Sequence, residues 1–338
     1  MKEKLINIVY ALLKVFPLIV QEKIKIILNV LCNDWRLAPF KMPGWNSRYL
    51  FALKDEEFDK HFAGLDERSL TVLKRFLQGQ RLYYIEEKNL NYCFYSRKGL
   101  YTREEYKLSV RAYKQDRKMR KLYGLAKFMP NAVSSTFFQH GLVTLPEEQL
   151  KRLAGTAFID AGAFIGDSTL MMLKYAPSRI YAFEPSEKNC SLFREIMKHN
   201  HITSDCYELI PAGLGEANTK MQNFNDTGNE GTNIYNNNGS STIDIYALDS
   251  FWKEEYGRIG FIKADVEGAA VELLRGAEQA VRKYLPVLSI AVYHNETEFF
   301  GVYELLKSWN LPYRIEFQKH YYCWDNAEIV LMAIPDQQ

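Results

Sequence analysis

The sequence predicts an α/β fold for the second half of the chain, built on a mostly parallel β-sheet. From residue 156 onward, short apolar segments alternate with segments whose apolar residues recur at helical spacing. This alternation is typical of a parallel sheet with helices on both faces. The last two apolar segments follow each other without a helix between them, so we expect an antiparallel hairpin at the end of the sheet.

Eight strands and four main helices are predicted in this half. The strands are expected at about residues 157–160, 180–183, 207–211, 243–247, 260–265, 286–293, 313–319 and 328–334. The helices are expected near residues 167–176, 187–199, 268–284 and 298–309. An Asn-rich segment, residues 223–241, contains the hairpin signal Asn238-Gly239 and predicts either a plain surface hairpin or a flap at the rim of a pocket.

Length and charge divide the chain near residue 150. A chain of 338 residues is long enough for about two domains. Residues 1–150 hold 26 Lys and Arg against 16 Asp and Glu, a net charge of +10, whereas residues 151–338 hold 17 against 25, a net charge of −8. We therefore predict a mainly helical N-terminal region over residues 1–150 and an α/β domain over residues 151–338. No segment interleaves basic and aromatic residues as nucleic-acid-binding modules do, so we expect no nucleic-acid partner.

Residues 5–31 are rich in Leu, Ile and Val, but charged residues interrupt every long apolar run. The pattern predicts an amphipathic helix that either packs on the protein or lies on a membrane surface. Five widely spaced cysteines without a C-x-x-C pair favour neither a zinc site nor a disulfide framework. We expect a cytoplasmic protein, with peripheral membrane contact through residues 5–31 as the alternative. The sequence leaves homo-oligomerisation open.

The most informative segment reads Phe158-Ile-Asp-Ala-Gly-Ala-Phe-Ile-Gly-Asp-Ser168, and Tyr181-Ala-Phe-Glu-Pro185 follows it. Asp160 and Glu184 end the first two predicted strands, and ligands of open parallel sheets bind at these carboxyl ends. A carboxylate at the turn would repel a pyrophosphate but suits a cationic ligand, and Glu184 suits two ribose hydroxyls. The G-x-G-x-x-G of many NAD sites is absent. The pattern therefore favours S-adenosylmethionine over NAD.

The predicted cofactor contacts lie on the turn, on the neighbouring strand ends and on the predicted strand that carries Lys263. They are Asp160, Gly162, Ala163, Phe164, Gly166, Asp167, Ser168, Glu184, Pro185, Ala212 and Asp265. Gly162 and Gly166 are expected to let the backbone turn sharply and the ligand come close.

Over about residues 138–334, the chain resembles the FkbM family of S-adenosylmethionine-dependent methyltransferases. The resemblance rests on the two segments above and on Ala247-Leu-Asp-Ser-Phe251, Ile262-Lys-Ala-Asp-Val-Glu-Gly268, Leu274-Arg-Gly-Ala277 and Tyr293-His294. It implies a Rossmann-like class I methyltransferase fold with a seven-stranded sheet and an antiparallel last hairpin. It also implies S-adenosylhomocysteine as product and an acceptor such as a sugar, a glycolipid or a secondary metabolite.

This chain departs from the family pattern at two positions. Phe164 stands where family members commonly have Asn. The segment that ends in Tyr293-His294 lacks the glutamate that many members have there. The second departure leaves the identity of the general base open.

Transfer to an oxygen requires a base for the acceptor proton. Lys263, Asp265 and Glu267 alternate along one predicted strand and so lean to one face, and His294 closes the next strand. These four are the predicted catalytic residues. We predict that His294 deprotonates the acceptor hydroxyl while Asp265 orients it. An alternative in which Asp265, Glu267 and His294 bind a divalent metal stays open, although no metal ligand is assigned.

The predicted function is O-methylation of a small molecule or a glycan by S-adenosylmethionine. Residues 1–150 are expected to select the acceptor, cover the pocket or dock a partner. Two other functions remain open: a non-catalytic scaffold that keeps the nucleoside pocket, and an NAD-dependent enzyme on a related fold. Cofactor affinity separates the three.

Overall fold

The computed structural model of the protein describes residues 15, 37–39, 53–86, 94–96, 107, 120–125, 139–226, 239–320 and 329–336. The contacts divide the chain into two compact units, residues 1–112 with 317–329 and residues 113–316 with 330–338. Residues 113–150, which the charge pattern grouped with the N-terminal region, thus belong to the second unit. Apart from residue 15, the amphipathic segment 5–31 lies outside the described residues.

The described residues of the first unit form two helices, α1 (Asp55–His61) and α2 (Glu67–Glu86), and two short antiparallel strands, β1 (Leu37–Pro39) and β2 (Phe94–Ser96). Three acidic residues occupy the first turn of α1, where their negative charges interact favourably with the helix dipole. Phe62 is fully buried and meets the ring of Phe317 edge-on at 5.9 Å. These contacts form an aromatic core within this unit.

The remaining strands all follow residue 156, and ten of them fall in the described part of the chain. They are β3 (Ala157–Ala161), β4 (Arg179–Phe183), β5 (Tyr207–Ile210), β6 (Ala212–Leu214), β7 (Thr219–Phe224), β8 (Ser241–Tyr246), β9 (Ile259–Ala264), β10 (Val287–Ala291), β11 (Tyr313–Lys319) and β12 (Ile329–Pro335).

Seven of these strands form one sheet in the order β11-β12-β10-β9-β3-β4-β5. The strands β10, β9, β3, β4 and β5 run parallel, and β12 is antiparallel to β10. The predicted seven-stranded, mostly parallel sheet is confirmed. The predicted strand at 243–247 belongs elsewhere, because β8 pairs with β6 and β7 in a separate three-stranded sheet.

Helices connect the parallel strands, as the alternation predicts. In this part of the chain they are α3 (Glu147–Leu153), α4 (Asp167–Met172), α5 (Glu187–His199), α6 (Leu248–Phe251), α7 (Ala270–Arg275), α8 (Glu278–Tyr284) and α9 (Glu296–Ser308). The single helix predicted over residues 268–284 is two helices, broken at Gly276. A Cβ atom at Gly276 would lie 2.0 Å from the carbonyl oxygen of Gly215, so this close approach fixes the break.

The central strands are buried along their whole length, since every residue of β3, β9 and β10 is inaccessible to solvent. Such continuous apolar strands are expected when helices cover both faces of a parallel sheet. Asp160 and Lys263 are the charged exceptions within these strands. Both residues lie near the edge of the sheet where β3 and β9 end.

No helix in the described ranges has the length and apolar character needed to cross a membrane.

Candidate functional site

A buried ion pair fixes the carboxyl ends of β3 and β9. Asp160 is completely buried, and its Oδ2 accepts hydrogen bonds of 2.7 Å from the hydroxyls of Ser168 and Thr169 at the start of α4. Lys263 Nζ lies 3.2 Å from Asp160 Oδ1. The pair therefore holds together the two strands and the helix that follows the turn.

Lys263 also binds the backbone of that turn. Its ammonium donates to the carbonyl oxygens of Gly162 at 2.6 Å and Ala161 at 3.2 Å. Burial alone would lower the pKa of Lys263, but Asp160 and Asp265 reverse the effect and raise that pKa above its usual value. Lys263 is thus a permanent cation beneath the turn, and its contacts are those of a positioning residue. A direct catalytic role stays a prediction.

The turn between β3 and α4 requires its glycines. Gly162 has φ +74°, and a Cβ there would lie 1.8 Å from the carbonyl oxygen of Asp265. Gly166 has φ +87°, and a Cβ there would lie 2.4 Å from Met197 Cε. Phe164, between them, adopts φ +47°, which is unfavourable for a bulky residue. The turn is therefore packed directly against the end of β9.

Glu184 stabilises the strained turn from the neighbouring strand. Its Oε2 accepts a 2.9 Å hydrogen bond from the backbone N–H of Phe164. Its Oε1 accepts from Ser186 N at 2.9 Å and from Asn189 Nδ2 at 3.2 Å. Burial raises the pKa of Glu184 to about 7, although the three hydrogen bonds act in the opposite direction. Oε2 has accepted a single donor and keeps a lone pair for a ligand.

A second group of titratable residues lies at the ends of β9 and β10. His294 Nε2 lies 3.2 Å from Asp265 Oδ1 and 3.7 Å from Glu267 Oε2. On its other side, His294 Nδ1 lies 2.8 Å from Oε2 of the fully buried Glu298. The hydroxyl of Tyr293 donates to Asp265 at 3.4 Å, and its ring lies against that of His294 with the centroids 4.2 Å apart and the planes tilted by 36°.

The electrostatics of this group affect the predicted base. Burial would lower the pKa of His294, but Glu298, Asp265 and Glu267 raise it well above its usual value. Burial would raise the pKa of Asp265, but the contact with His294 and the charge of Lys263 lower it. In this state His294 is an imidazolium with no lone pair to accept a proton. A histidine must be neutral to act as a general base, so this charge state argues against that role for His294. The role stays a prediction.

Two residues of the site were missed by sequence reasoning. Glu298 could have been found because it stands one helical turn after His294. His140 is 7% exposed, adopts φ 50°, and its Nε2 has no hydrogen-bond partner among the described residues. Burial and the positive charge of Lys263 lower the pKa of His140 to about 4, so its imidazole is neutral. In the sequence, the consecutive residues His140 and Gly141 are the local signal that indicates this turn.

The predicted residues thus fall into two neighbouring groups. Most predicted cofactor contacts lie on the β3–α4 turn or beside it, namely Asp160, Gly162, Ala163, Phe164, Gly166, Asp167, Ser168, Glu184 and Pro185. Ala212 begins β6, shortly after the end of β5. Asp265 links the groups, because its carbonyl abuts Gly162 and its carboxylate meets His294. Asp160 Oδ2 accepts two hydrogen bonds at the turn, whereas Oδ1 faces Lys263 at 3.2 Å without a well-aligned hydrogen bond. Contact of Asp160 with a ligand stays a prediction.

Comparison with known proteins agrees with this arrangement. Residues 160–317 match the family model described as the methyltransferase FkbM domain. This segment of the chain is similar to an FkbM methyltransferase domain. The match begins at Asp160 and includes Glu184, Asp265 and His294. Among curated proteins, no similar sequence was found.

One solved structure supports the fold of this domain. The methyltransferase FkbM of Methylobacillus flagellatus KT aligns with a TM-score of 0.53 and 19% identity over 82% of this chain. At this identity the likeness establishes the fold, that of a class I methyltransferase. The chain spans 57% of that protein's length. An O-methyltransferase from Bacillus cereus, solved with SAH, aligns with a TM-score of 0.40 and 15% identity over 66% of this chain and 91% of its own, too distant to bear on function.

We expect Gly162→Ala to destabilise the FkbM domain far more than Gly155→Ala does. Both glycines have φ +74°, so the intrinsic penalty of about 1–2 kcal/mol is the same. A Cβ at position 155 meets nothing within 4 Å, whereas one at 162 meets the Asp265 carbonyl. Urea denaturation measures both. Equal losses would show that the turn does not pack on β9.

We expect Lys263→Met to lower the free energy of unfolding by about 3–5 kcal/mol, because it leaves Asp160 charged and buried without its partner. The double variant Asp160→Asn, Lys263→Met should recover part of this loss. Chemical denaturation checks both. A double variant less stable than Lys263→Met would contradict the assignment of the loss to the unpaired carboxylate.

Proposed function

We propose that this protein transfers the methyl group of S-adenosylmethionine to a hydroxyl oxygen. The observation that carries the proposal is the hydrogen bond from Phe164 N to Glu184, which fixes a buried carboxylate beside a glycine turn at the carboxyl edge of the sheet. The FkbM domain match supports the same class of reaction. The acceptor class, the oxygen specificity and the cofactor are parts of the proposal.

The residues present suit S-adenosylmethionine. Glu184 accepts a ribose hydroxyl at the lone pair that Oε2 keeps open, because its other acceptor sites are taken by Phe164 N, Ser186 N and Asn189 Nδ2. The backbone of the Gly162 turn lies close enough to bring the amino-acid end of the cofactor toward Asp265. Bound there, S-adenosylmethionine supplies an electrophilic methyl group on a sulfonium. The nearby carboxylates stabilise the positive charge of that sulfonium.

The protein's main task in such a displacement is alignment and exclusion of water. Lys263 and Asp160 keep the turn rigid. Asp265, Glu267 and His294 present polar groups to an incoming hydroxyl, and the ring of Tyr293, which packs against His294, gives an apolar surface beside them. A sugar offers both a hydroxyl and an apolar face. We therefore propose a sugar, a glycan or glycolipid, or a hydroxylated secondary metabolite as acceptor.

We further propose a cytoplasmic location, in keeping with the unpaired thiols of Cys190 and Cys206. A membrane contact through residues 5–31, a homo-oligomer and the absence of a nucleic-acid partner are proposals of the same kind.

We expect micromolar binding of S-adenosylmethionine and S-adenosylhomocysteine, with no comparable binding of NAD. Glu184→Gln should weaken binding of both at least tenfold, because a neutral amide replaces the ribose acceptor. The matched control is Glu195→Gln, which removes an exposed charge from the helix after Glu184. Isothermal titration calorimetry measures all of these. Binding of NAD alone would support the dehydrogenase alternative, and no nucleoside binding would leave a scaffold.

Affinity for the nucleoside should also fall as the pH falls through 7. With the pKa of Glu184 near 7, its ionised fraction drops from about nine tenths at pH 8 to about one tenth at pH 6, so binding weakens about tenfold. In the free protein the same raised pKa makes stability fall as the pH rises from 4.5 to about 7. 5′-Methylthioadenosine is the suitable probe because it does not titrate in this range. A profile unchanged in Glu184→Gln would contradict the assignment.

Methyl transfer should yield an ether. The assay uses tritiated S-adenosylmethionine and a panel of sugars, glycolipids and hydroxylated metabolites. Mild alkali hydrolyses methyl esters but not methyl ethers, so we expect the transferred label to stay on the acceptor after alkali treatment. Alkali-labile label would indicate a carboxyl acceptor, and label on an amine would contradict oxygen specificity. Boiled protein and Gly162→Ala protein serve as controls.

A further inference from the structure

We propose that Asp265, Glu267 and His294 form a binding site for one hard divalent cation, Mg²⁺ or Mn²⁺, which holds the acceptor hydroxyl. The cation's role in catalysis rests on the proposed methyl transfer, but the site itself does not. The three residues come from two adjacent loops, after β9 and after β10. They occupy the same edge of the sheet as the Gly162 turn.

The geometry suits one ion. A carboxylate oxygen from each acid and one ring nitrogen of His294 all lie within 4.8 Å of one another. Ligands about 2.1 Å from an octahedral cation stand roughly 3 Å apart when adjacent and about 4.2 Å apart when opposite. Small side-chain rotations therefore bring all three atoms into coordination, and at least three positions remain for water and for the acceptor oxygen.

His294 is oriented as a ligand. Its side chain is 8% exposed, and its Nε2 points toward the two carboxylates without a well-aligned hydrogen bond to either, despite the separations of 3.2 and 3.7 Å. Its Nδ1 is 2.8 Å from the buried carboxylate of Glu298. Metal-binding histidines commonly donate their second ring nitrogen to such a carboxylate, which fixes the tautomer and frees Nε2 for the ion.

The backbone holds the acids in place at a conformational cost. Glu267 has φ +52°, an unfavourable conformation for a residue with a side chain, and Gly268 follows at φ +105°. The Nδ2 of Asn295 donates to Gly268 O at 3.3 Å, and its Oδ1 caps α9 by accepting from Glu298 N at 2.8 Å. One residue thus ties the two loops together. Strain of this kind is concentrated at functional sites.

Charge balance favours a cation over a plain ion-pair cluster. Three carboxylates, from Asp265, Glu267 and Glu298, surround the single imidazole of His294, whose Nε2 must release its proton when it binds a cation. The neighbouring Lys263 attracts Asp265, but its charge is matched by that of Asp160, so this pair adds no net charge to the cluster. Two carboxylate oxygens and one imidazole nitrogen are a donor set that Mg²⁺ and Mn²⁺ accept when water completes the shell.

A cation here would assist the reaction as a Lewis acid. An acceptor hydroxyl bound to it loses its proton to water more readily, since the positive charge lowers the hydroxyl pKa. The resulting alkoxide oxygen forms a bond to the methyl carbon while the carbon–sulfur bond breaks. The electron pair of that bond stays on sulfur, and the sulfonium becomes the neutral thioether of S-adenosylhomocysteine.

The test is direct titration of the full-length protein with Mn²⁺, in which electron paramagnetic resonance reports the free ion. We expect one Mn²⁺ per chain at submillimolar affinity, displaced by excess Mg²⁺. Glu267→Gln and His294→Ala should each weaken binding at least tenfold. Glu298→Gln should weaken it roughly 10–100-fold through loss of the outer carboxylate. Glu296→Gln, which removes an acid two residues from His294, is the control and should bind as the native protein does.

No saturable binding below 1 mM in the native protein would overturn the proposal and leave an ion-pair cluster. Equal affinity in all four variants would overturn it too, because the ion would then lie elsewhere. Circular dichroism confirms that each variant folds. Glu267, at 30% side-chain exposure, is the substitution least able to disturb packing. Titration with S-adenosylhomocysteine in parallel separates failure of the cation site from failure of the proposed methyl transfer.

Discussion

The buried pair of Asp160 and Lys263 is the interaction on which the site depends. The pair joins the ends of two neighbouring strands. Asp160 accepts hydrogen bonds from two hydroxyls of α4, and Lys263 donates hydrogen bonds to two carbonyl oxygens of the glycine turn. A buried ion pair often contributes little net stability, since desolvation offsets the attraction. Here its value is geometric. The turn cannot relax without leaving one of the two charges unpaired.

That rigidity has consequences on both sides of the turn. On one side, Phe164 keeps a disfavoured conformation because its N–H is bound to Glu184. On the other side, Gly162 touches the backbone of Asp265, so the carboxylate cluster begins where the turn ends. The glycine turn and the cluster of Asp265, Glu267 and His294 are therefore in direct backbone contact, and a change at Gly162 is expected to disturb both.

Sequence reasoning recovered the large sheet because its signals are local. β3, β4 and β11 end within a residue or two of their predicted limits, since apolar runs and glycine turns define them. The strand near 243–247 was predicted, but its pairing with β6 and β7 in a second sheet was not, because that pairing depends on contacts that no local pattern records. The helix break at Gly276 also depends on a distant carbonyl, that of Gly215.

For the site, the sequence identified residue types and strand ends but not their partners. It placed Asp160 against a ligand, whereas the fold turns that carboxylate inward to Lys263, Ser168 and Thr169. It chose His294 as a base from its ordinary pKa, but the charge of that imidazole depends on Glu298, which packs onto it from the following helix. Partner identity is a three-dimensional property, so only the structure reveals it.

The order of strands in the large sheet also bears on how the protein is made. β12 is synthesised after the other six strands, yet it lies between β10 and β11 rather than at an edge. β11 must therefore leave the ribosome without the neighbour that will join it to the sheet. During translation β10 and β11 expose unpaired edges, which are sites for association with other chains. The nascent chain should depend on chaperones until that last strand emerges and is inserted.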